Sequence, residues 1–483
     1  MKPFSYPNLS IQAAEASLNN DVVRVYLSCD DLSQLQSHVV AQFKEQQAIF
    51  PDSQFWSITQ PYPALLLNAQ PVSENTMFAK LTWARKLIEQ ANLEKLKKLS
   101  FECSDAILQE AFVSAWLAAN YTLPNYKHNS QEILSSEKTL YLTDVALSDG
   151  QIAQLCAEAK GNALTRYLAW QPADQLNPKS YQLLAQQLAS QYNWQVDIYN
   201  EDALALLGAE AFLAVAKGDN HPSSIVRLRY TPKAPKQHIA LVGKGICMDT
   251  GGYNLKSNMS GMHMDMGGSA VALGSLLAAS ELNVPYQIDC YLALAENHVA
   301  PNAYKTGEVV KALNGTTIEI VDTDAEGRMV LADTLTLASR EKPQLIIDYA
   351  TLTGSCKRAL GNNRSGLWSN RFDWLMELTQ IGEQCGERVW PQPLDSDYDD
   401  DFRSQIADIA QCAPGPGPDH IHAARFLLRF IEPHDNWIHI DLSAFNPKIP
   451  LAHQPTPISG FGVRYTQRLL AQLDALLASD NAC

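Results

Sequence analysis

The sequence predicts an α/β protein with two sheet-bearing parts: an N-terminal α/β domain over residues 1–155, a helical connection over 156–192, and a C-terminal α/β/α domain with a mostly parallel central sheet over 193–483. Three observations predict it. Apolar runs of strand length alternate with helical patterns along most of the chain, as parallel strands joined by crossover helices require. Many of these runs are β-branched or aromatic. A chain of 483 residues also exceeds what a single core holds.

In the first part, residues 22–27, 65–67 and 140–142 carry strand-like runs, and 75–93 and 104–119 carry helical patterns between them. A helical segment at 151–168, a breaker-rich stretch from Pro172 to Pro178 and a second helix at 180–192 make the connection. In the second part, strands are expected at 239–242, 287–294, 317–321, 345–347 and 437–440. Helical patterns at 269–280, 329–340 and 422–430 separate several of them, which argues for a sheet covered on both faces. The acidic residues Asp395, Asp397, Asp399, Asp400 and Asp401 read as a solvated loop.

Composition narrows the function classes. The net charge of -15 repels phosphate backbones and anionic lipids, which argues against nucleic acid as a partner. No stretch is long and apolar enough to span a bilayer, and the first residues lack the apolar run of a signal peptide. The nine cysteines are scattered without a C-x-x-C pair, which reads as reduced thiols and a cytoplasmic location.

The chemistry gathers in two clusters. After the run 239–242 comes Gly243-Lys244-Gly245, then Asp249, Gly251-Gly252 and Lys256. The glycines are expected to turn the backbone tightly and bring it close to a ligand. Asp265 follows in Asp265-Met266-Gly267-Gly268, just before a helical pattern, where capping that helix is its bland reading. After the run 317–321 comes Asp322-Thr323-Asp324-Ala325-Glu326-Gly327-Arg328. In an extended chain alternate residues share a side, so Asp324 and Glu326 can face one point. Carboxylates held that close need a cation between them or a raised pKa. A calcium-loop reading of the same residues fails, because position 12 is Asp333 and a strand-like run precedes the loop where a helix is required. His420 and His422 read as the start of a helix, and His263 as structural or solvated.

At these clusters the sequence resembles the leucine aminopeptidase family, the cytosolic dinuclear-metal aminopeptidases, and in particular its peptidase B-like members. The segment 322–328 is similar to the family's N-T-D-A-E-G-R except at its first residue. The stretch from Gly243 to Lys256 and the segment from Asp265 to Gly268 match its ligand loops. Further matches run over 212–218, 350–354 and 460–464, so the likeness covers about residues 160–470.

The resemblance implies two divalent metals, zinc or manganese by preference with magnesium admitted, held by Lys244, Asp249, Asp265, Asp324 and Glu326. It implies that Lys256 is catalytic and that Arg328 holds a bicarbonate. It places substrate contacts at Met262, Thr351, Leu352 and Gly354, with peptides bearing a free N-terminus as substrates and a homohexamer as the assembly. The departures are Asp322 for Asn, Met248 for Phe, His263 for Lys, and a slightly shorter stretch from Lys256 to Asp265. They bear on substrate preference and metal affinity. Two other classes stay open from the residues: a two-metal phosphohydrolase, and a non-catalytic binding or regulatory protein on the same fold.

Overall fold

The computed structural model describes residues 2–14, 21–27, 37–50, 55–58, 63–67, 75–128, 137–143, 145–433 and 436–478. Cys29 and Cys483 lie outside them, and the other cysteines are free thiols. A first sheet contains β1 (Leu9–Ala13), β2 (Val23–Leu27), β3 (Phe55–Ile58), β4 (Ala64–Leu67), β5 (Lys98–Glu102) and β6 (Lys138–Thr143), in the order β1-β6-β5-β2-β4-β3. All its pairings are parallel except β3 with β4. Helices Met77–Ala91 and Ala106–Ala119 pack together beside it, each opened by a side-chain cap, Thr76 and Asp105.

Helix Asp149–Trp170 starts at a capping box of Ser148 and Gln151. Helix Pro178–Tyr192 starts at Asn177 with Pro in its first turn, where the missing N–H costs nothing. The first of these packs along helix Gly267–Glu281 of the second part, and Thr165 donates to the Ala270 carbonyl at 2.9 Å. The N-terminal half of that first helix packs the other way, with Leu155 in the apolar cluster of the first part, so the helix joins the two parts, and we propose the connection over 156–192 on that basis.

The remaining described strands are β7 (Gln195–Asn200), β8 (Ser224–Tyr230), β9 (Gln237–Asp249), β10 (Tyr286–Asn297), β11 (Val309–Lys311), β12 (Thr317–Glu319), β13 (Leu345–Ala350), β14 (Ser365–Ser369), β15 (Val389–Pro391), β16 (Ile409–Ala410) and β17 (Asn436–Asp441). The large sheet has the order β15-β14-β17-β13-β9-β10-β8-β7. Its central pairings, β10 with β9, β9 with β13 and β13 with β17, are parallel. Alternate residues of β9 enter two different apolar clusters, Ile239 and Leu241 on one face, Ala240 and Val242 on the other. That is why its sequence is apolar without alternation.

Three expectations need correction. Gly243 and Gly245 do not begin a turn, because β9 runs on to Asp249; the turn comes at Gly251 and Gly252, both at positive φ. A Cβ on Gly243 would lie 2.4 Å from the Ser269 Cα, so glycine serves close packing of strand against helix there. The run at 317–321 is not part of the large sheet. It forms β12 in a separate small sheet with β11 and β16. The acidic stretch is also more ordered than a solvated loop. It forms a 3-10 helix, Ser396–Phe402, whose Asp399 bonds Arg425 at 2.6 Å and Arg429 at 2.9 Å.

Candidate metal centre

β9 delivers two of the candidate ligands. Lys244 lies within it, with its side chain 3% exposed, and Asp249 ends it. The Lys244 Nζ sits 2.6 Å from the Asp265 Oδ2, 2.9 Å from the Glu326 Oε1 and 3.1 Å from the Thr351 carbonyl oxygen. Lys256 reaches the same place from the following loop. Its Nζ is 2.6 Å from the Asp249 Oδ2 and bonds the Asp324 Oδ1 as well. Asp249, Asp324 and Glu326 each offer an oxygen within 4.8 Å of the other two. The five candidate ligands therefore converge in two groups that share Glu326, with Lys256 across the second.

Supporting bonds fix these groups. The Asp249 Oδ1 accepts from the Gly251 N–H and from the Asn297 Nδ2, both at 2.9 Å. Asn297 ends β10 and donates also to the Thr323 carbonyl at 2.9 Å, which the Tyr304 hydroxyl bonds at 2.7 Å. Asn297, Thr323 and Tyr304 are the positions that motif reading missed. The visible signal was a polar residue at the carboxyl end of an apolar strand, where sites of α/β sheets lie.

Asp265 does not cap its helix, which begins at Gly267 without a side-chain cap. It accepts instead from the Thr351 hydroxyl at 2.8 Å. Glu326 and Asp324 converge for a different reason than an extended chain. Glu326 opens helix Glu326–Arg340, whose positive N-terminal end favours a carboxylate. A Cβ on Gly327 would lie 2.4 Å from the Lys244 Cε, so glycine is needed where that helix start passes the buried lysine.

The charges are strongly perturbed. Burial, then Asp249, pushes the Glu326 carboxyl up, and the same pair of causes brings Asp324 to about 7. Burial, with Glu326 and Asp249 adding to it, pushes Asp265 well above the carboxylate range. Burial opposes the charge on Lys244, but Asp265, Glu326 and Asp249 outweigh it and hold the ammonium form. For Lys256, Asp249 and Glu326 do the same. Four acids against two lysines leave an excess of negative charge, and the donor set, carboxylate oxygens with one amine, fits hard to borderline divalent cations.

The other candidates lie around this point. Arg328 is buried; its Nη1 donates to the Gln411 carbonyl at 3.2 Å, its Nη2 pairs with Asp419 at 2.6 Å, and its Nε has no hydrogen-bond partner among the described residues. Thr351 and Leu352 follow β13, and Gly354 opens helix Gly354–Leu360. Met262 begins the short 3-10 helix ahead of Asp265. Asp322 accepts from the Asp324 N–H at 2.9 Å through its Oδ1, a bond that Asn could equally accept. His263 is half-buried, and burial lowers its pKa, which favours the neutral ring. His420 and His422 lie in the first turn of helix Asp419–Leu428, as expected.

A mostly parallel sheet with four carboxylates and a buried lysine converging at the carboxyl end of β9 gives a donor set fit for divalent cations, of the kind metal-dependent hydrolases use. The chain belongs to the cytosol aminopeptidase family, and residues 163–466 match that family's catalytic domain. It is 41% identical over 330 residues to a probable cytosol aminopeptidase of Stutzerimonas stutzeri (strain A1501). That match covers 67% of this chain and 66% of the relative. A probable cytosol aminopeptidase of Acinetobacter baumannii (strain AYE) is 36% identical over 392 residues, 80% of each chain. Among solved structures it is similar to the bottromycin maturation enzyme BotP in complex with Mn. The TM-score is 0.80 at 28% identity, over 94% of this chain and 100% of that one. The family, the fold class and the hydrolase assignment expected from the motifs are therefore borne out.

Proposed function

We propose that the chain is an exopeptidase that releases single residues, leucine-like ones among them, from peptides with a free N-terminus, using two divalent cations. The observation that carries this reading is the convergence of Lys244, Asp249, Asp265, Asp324 and Glu326 on one place, with Lys256 beside them. Lys244, Asp249, Asp265 and Glu326 would hold one cation. Asp249, Asp324 and Glu326, with a backbone oxygen of Asp324, would hold a more exchangeable second. When bound, such a pair supplies an activated water and polarises the scissile carbonyl. The lysine amine favours zinc or manganese over magnesium.

The side chains do the rest. Lys256 keeps its proton on Nζ and offers a fixed positive charge to the developing oxyanion. Thr351 orients Asp265 through the 2.8 Å bond from its hydroxyl. Arg328, held by Asp419 and Gln411, keeps its buried Nε as a donor for a bicarbonate, the group through which the leaving amine would gain its proton. Met262, Leu352 and Gly354 would line the substrate side.

The test is turnover of leucine p-nitroanilide against its N-acetylated form, with p-nitrophenyl phosphate alongside. Only the free amine substrate should be cleaved. Equal turnover of the acetylated form would refute exopeptidase action, and phosphatase activity alone would favour the phosphohydrolase reading. No described helix is long and apolar enough to cross a membrane. The free thiols support a cytoplasmic location, which recovery in the membrane or secreted fraction would contradict. A homohexamer is proposed from the family likeness, with exposed Phe372 and Met376 as candidate contact residues. Sedimentation as a monomer would rule it out.

A further inference from the structure

A second group of metal-ligating side chains stands at the end of β10, one residue from Asn297. Glu296 is buried there, and its Oε2 faces two imidazoles, the His298 Nε2 at 2.9 Å and the His221 Nδ1 at 3.2 Å. Asp219, in the loop after helix Glu210–Ala216, puts its Oδ1 3.6 Å from the same His221 Nδ1. Asp219, His221 and Glu296 each present a donor atom within 4.8 Å of the other two.

The carboxylates form the floor and the imidazoles the mouth. The Asp219 side chain is 0% exposed and that of Glu296 5%, while His298 and His221 are 29% and 41% exposed. The floor is braced by bonds that leave the mouth free to adjust. The Asp219 Oδ1 accepts from the His221 backbone N–H at 2.7 Å, and its Oδ2 accepts from the Ser223 hydroxyl at 3.0 Å and the Glu296 N–H at 3.2 Å.

A surface ion-pair network would account for one histidine against one carboxylate. Here two imidazoles meet at one oxygen, and a second buried carboxylate stands beside it. Burial, with Glu296 adding to it, brings the Asp219 carboxyl up to about 6, as expected where two acids share a low-dielectric floor. The spacing also fits coordination. Metal–ligand bonds of about 2.0–2.1 Å in a tetrahedral site put the donors roughly 3.4 Å apart. Within the group, the His221 Nδ1 lies 3.2 Å from the Glu296 Oε2 and 3.6 Å from the Asp219 Oδ1, on either side of that edge.

We propose that Asp219, His221 and Glu296 form a site for one divalent transition-metal ion, separate from the carboxylate–lysine centre, with His298 holding Glu296 from the mouth. An imidazole nitrogen with two carboxylates suits zinc and its neighbours better than calcium or magnesium. The His221 ring would turn its Nδ1 lone pair to the ion in place of its hydrogen bond with Glu296.

Imidazole distinguishes this site from the other centre, whose nitrogen donor is an amine. The test uses the full chain without a histidine tag, loaded by dialysis against zinc chloride alone and studied by zinc X-ray absorption and metal analysis. The wild type and Glu326→Ala should both show the outer-shell scattering of coordinated imidazole. The double variant His221→Ala/His298→Ala should lose that scattering and about one ion per chain, while keeping its leucine p-nitroanilide activity. Absence of imidazole scattering in the wild type would overturn the proposal whether or not the double variant folds. An unchanged ion count in a folded double variant would overturn it too.

Discussion

Lys244 and Lys256 reach the same carboxylates from opposite circumstances, and that difference separates their roles. Lys244 is 3% exposed and wedged between Asp265 and Glu326, where it can be displaced only by another cation or become a ligand itself. Lys256 is 18% exposed and lies across Asp249 and Asp324, on the side open to a substrate. Glu326→Ala should therefore lose bound metal and turnover together, since its carboxylate belongs to both groups. Retention of both ions of this centre in that variant, counted apart from any imidazole-bound ion, would remove Glu326 from the ligand set. Lys256→Ala should keep its metal and lose roughly 10²–10³ in kcat, the cost of one oxyanion donor. Metal analysis beside steady-state kinetics separates the two, and a near-normal kcat would end the role given to Lys256. These residues were legible because three acids within five positions are costly unless something compensates them. Asn297 was not, because one amide at a strand end has no chemical mark until its partners are known.

Strands at the centre of the large sheet were legible from their apolar runs, since both faces of β9 and β13 are buried. Their lengths were not. β9 continues through Gly243-Lys244-Gly245 to Asp249, and glycine there answers to a neighbouring helix that local sequence cannot reveal. The first sheet was half legible: β1 and β3 lie at its two edges, and central β5, Lys98–Glu102, mixes polar with apolar residues and makes no continuous apolar run. The carboxyl end of β10 is where element geometry turns into chemistry. Its last residue ties β9 to the 322–326 loop through two bonds from one amide nitrogen. Asn297→Ala should leave the fold intact and weaken cation binding about 10–100-fold, the usual cost of losing a group that orients a ligand. Titration with manganese, followed by recovery of activity, measures it. An unchanged midpoint would mean that Gly251 alone positions Asp249.

At the scale of the molecule, the two sheet-bearing parts are joined by charge as well as by apolar contact. Arg464, in the C-terminal helix Val463–Ala478, is buried and bonds outward in four directions. It meets Ser114 and Glu110 on the helix beside the first sheet at 3.0 and 2.5 Å, Glu158 on helix Asp149–Trp170 at 3.0 Å, and the Cys385 carbonyl at 2.8 Å. Removing one partner of a buried pair costs about 3–5 kcal/mol, because the other charge is left without compensation. Arg468 stays within 2.8 Å of Glu158 and 2.9 Å of Glu110, so Arg464→Ala belongs at the lower end of that range. Arg464→Lys should recover little, since a single ammonium cannot reproduce a guanidinium fork. The loss should also be directional. Glu110 and Ser114 hold the first part onto the second, so amides of β5 and β6 should exchange with solvent faster in Arg464→Ala while those of β9 and β13 stay protected. Hydrogen exchange read strand by strand decides it. Equal loosening of both sheets would show that Arg464 supports the large sheet and not the junction, and no loosening would show that Arg468 alone carries the pair of glutamates.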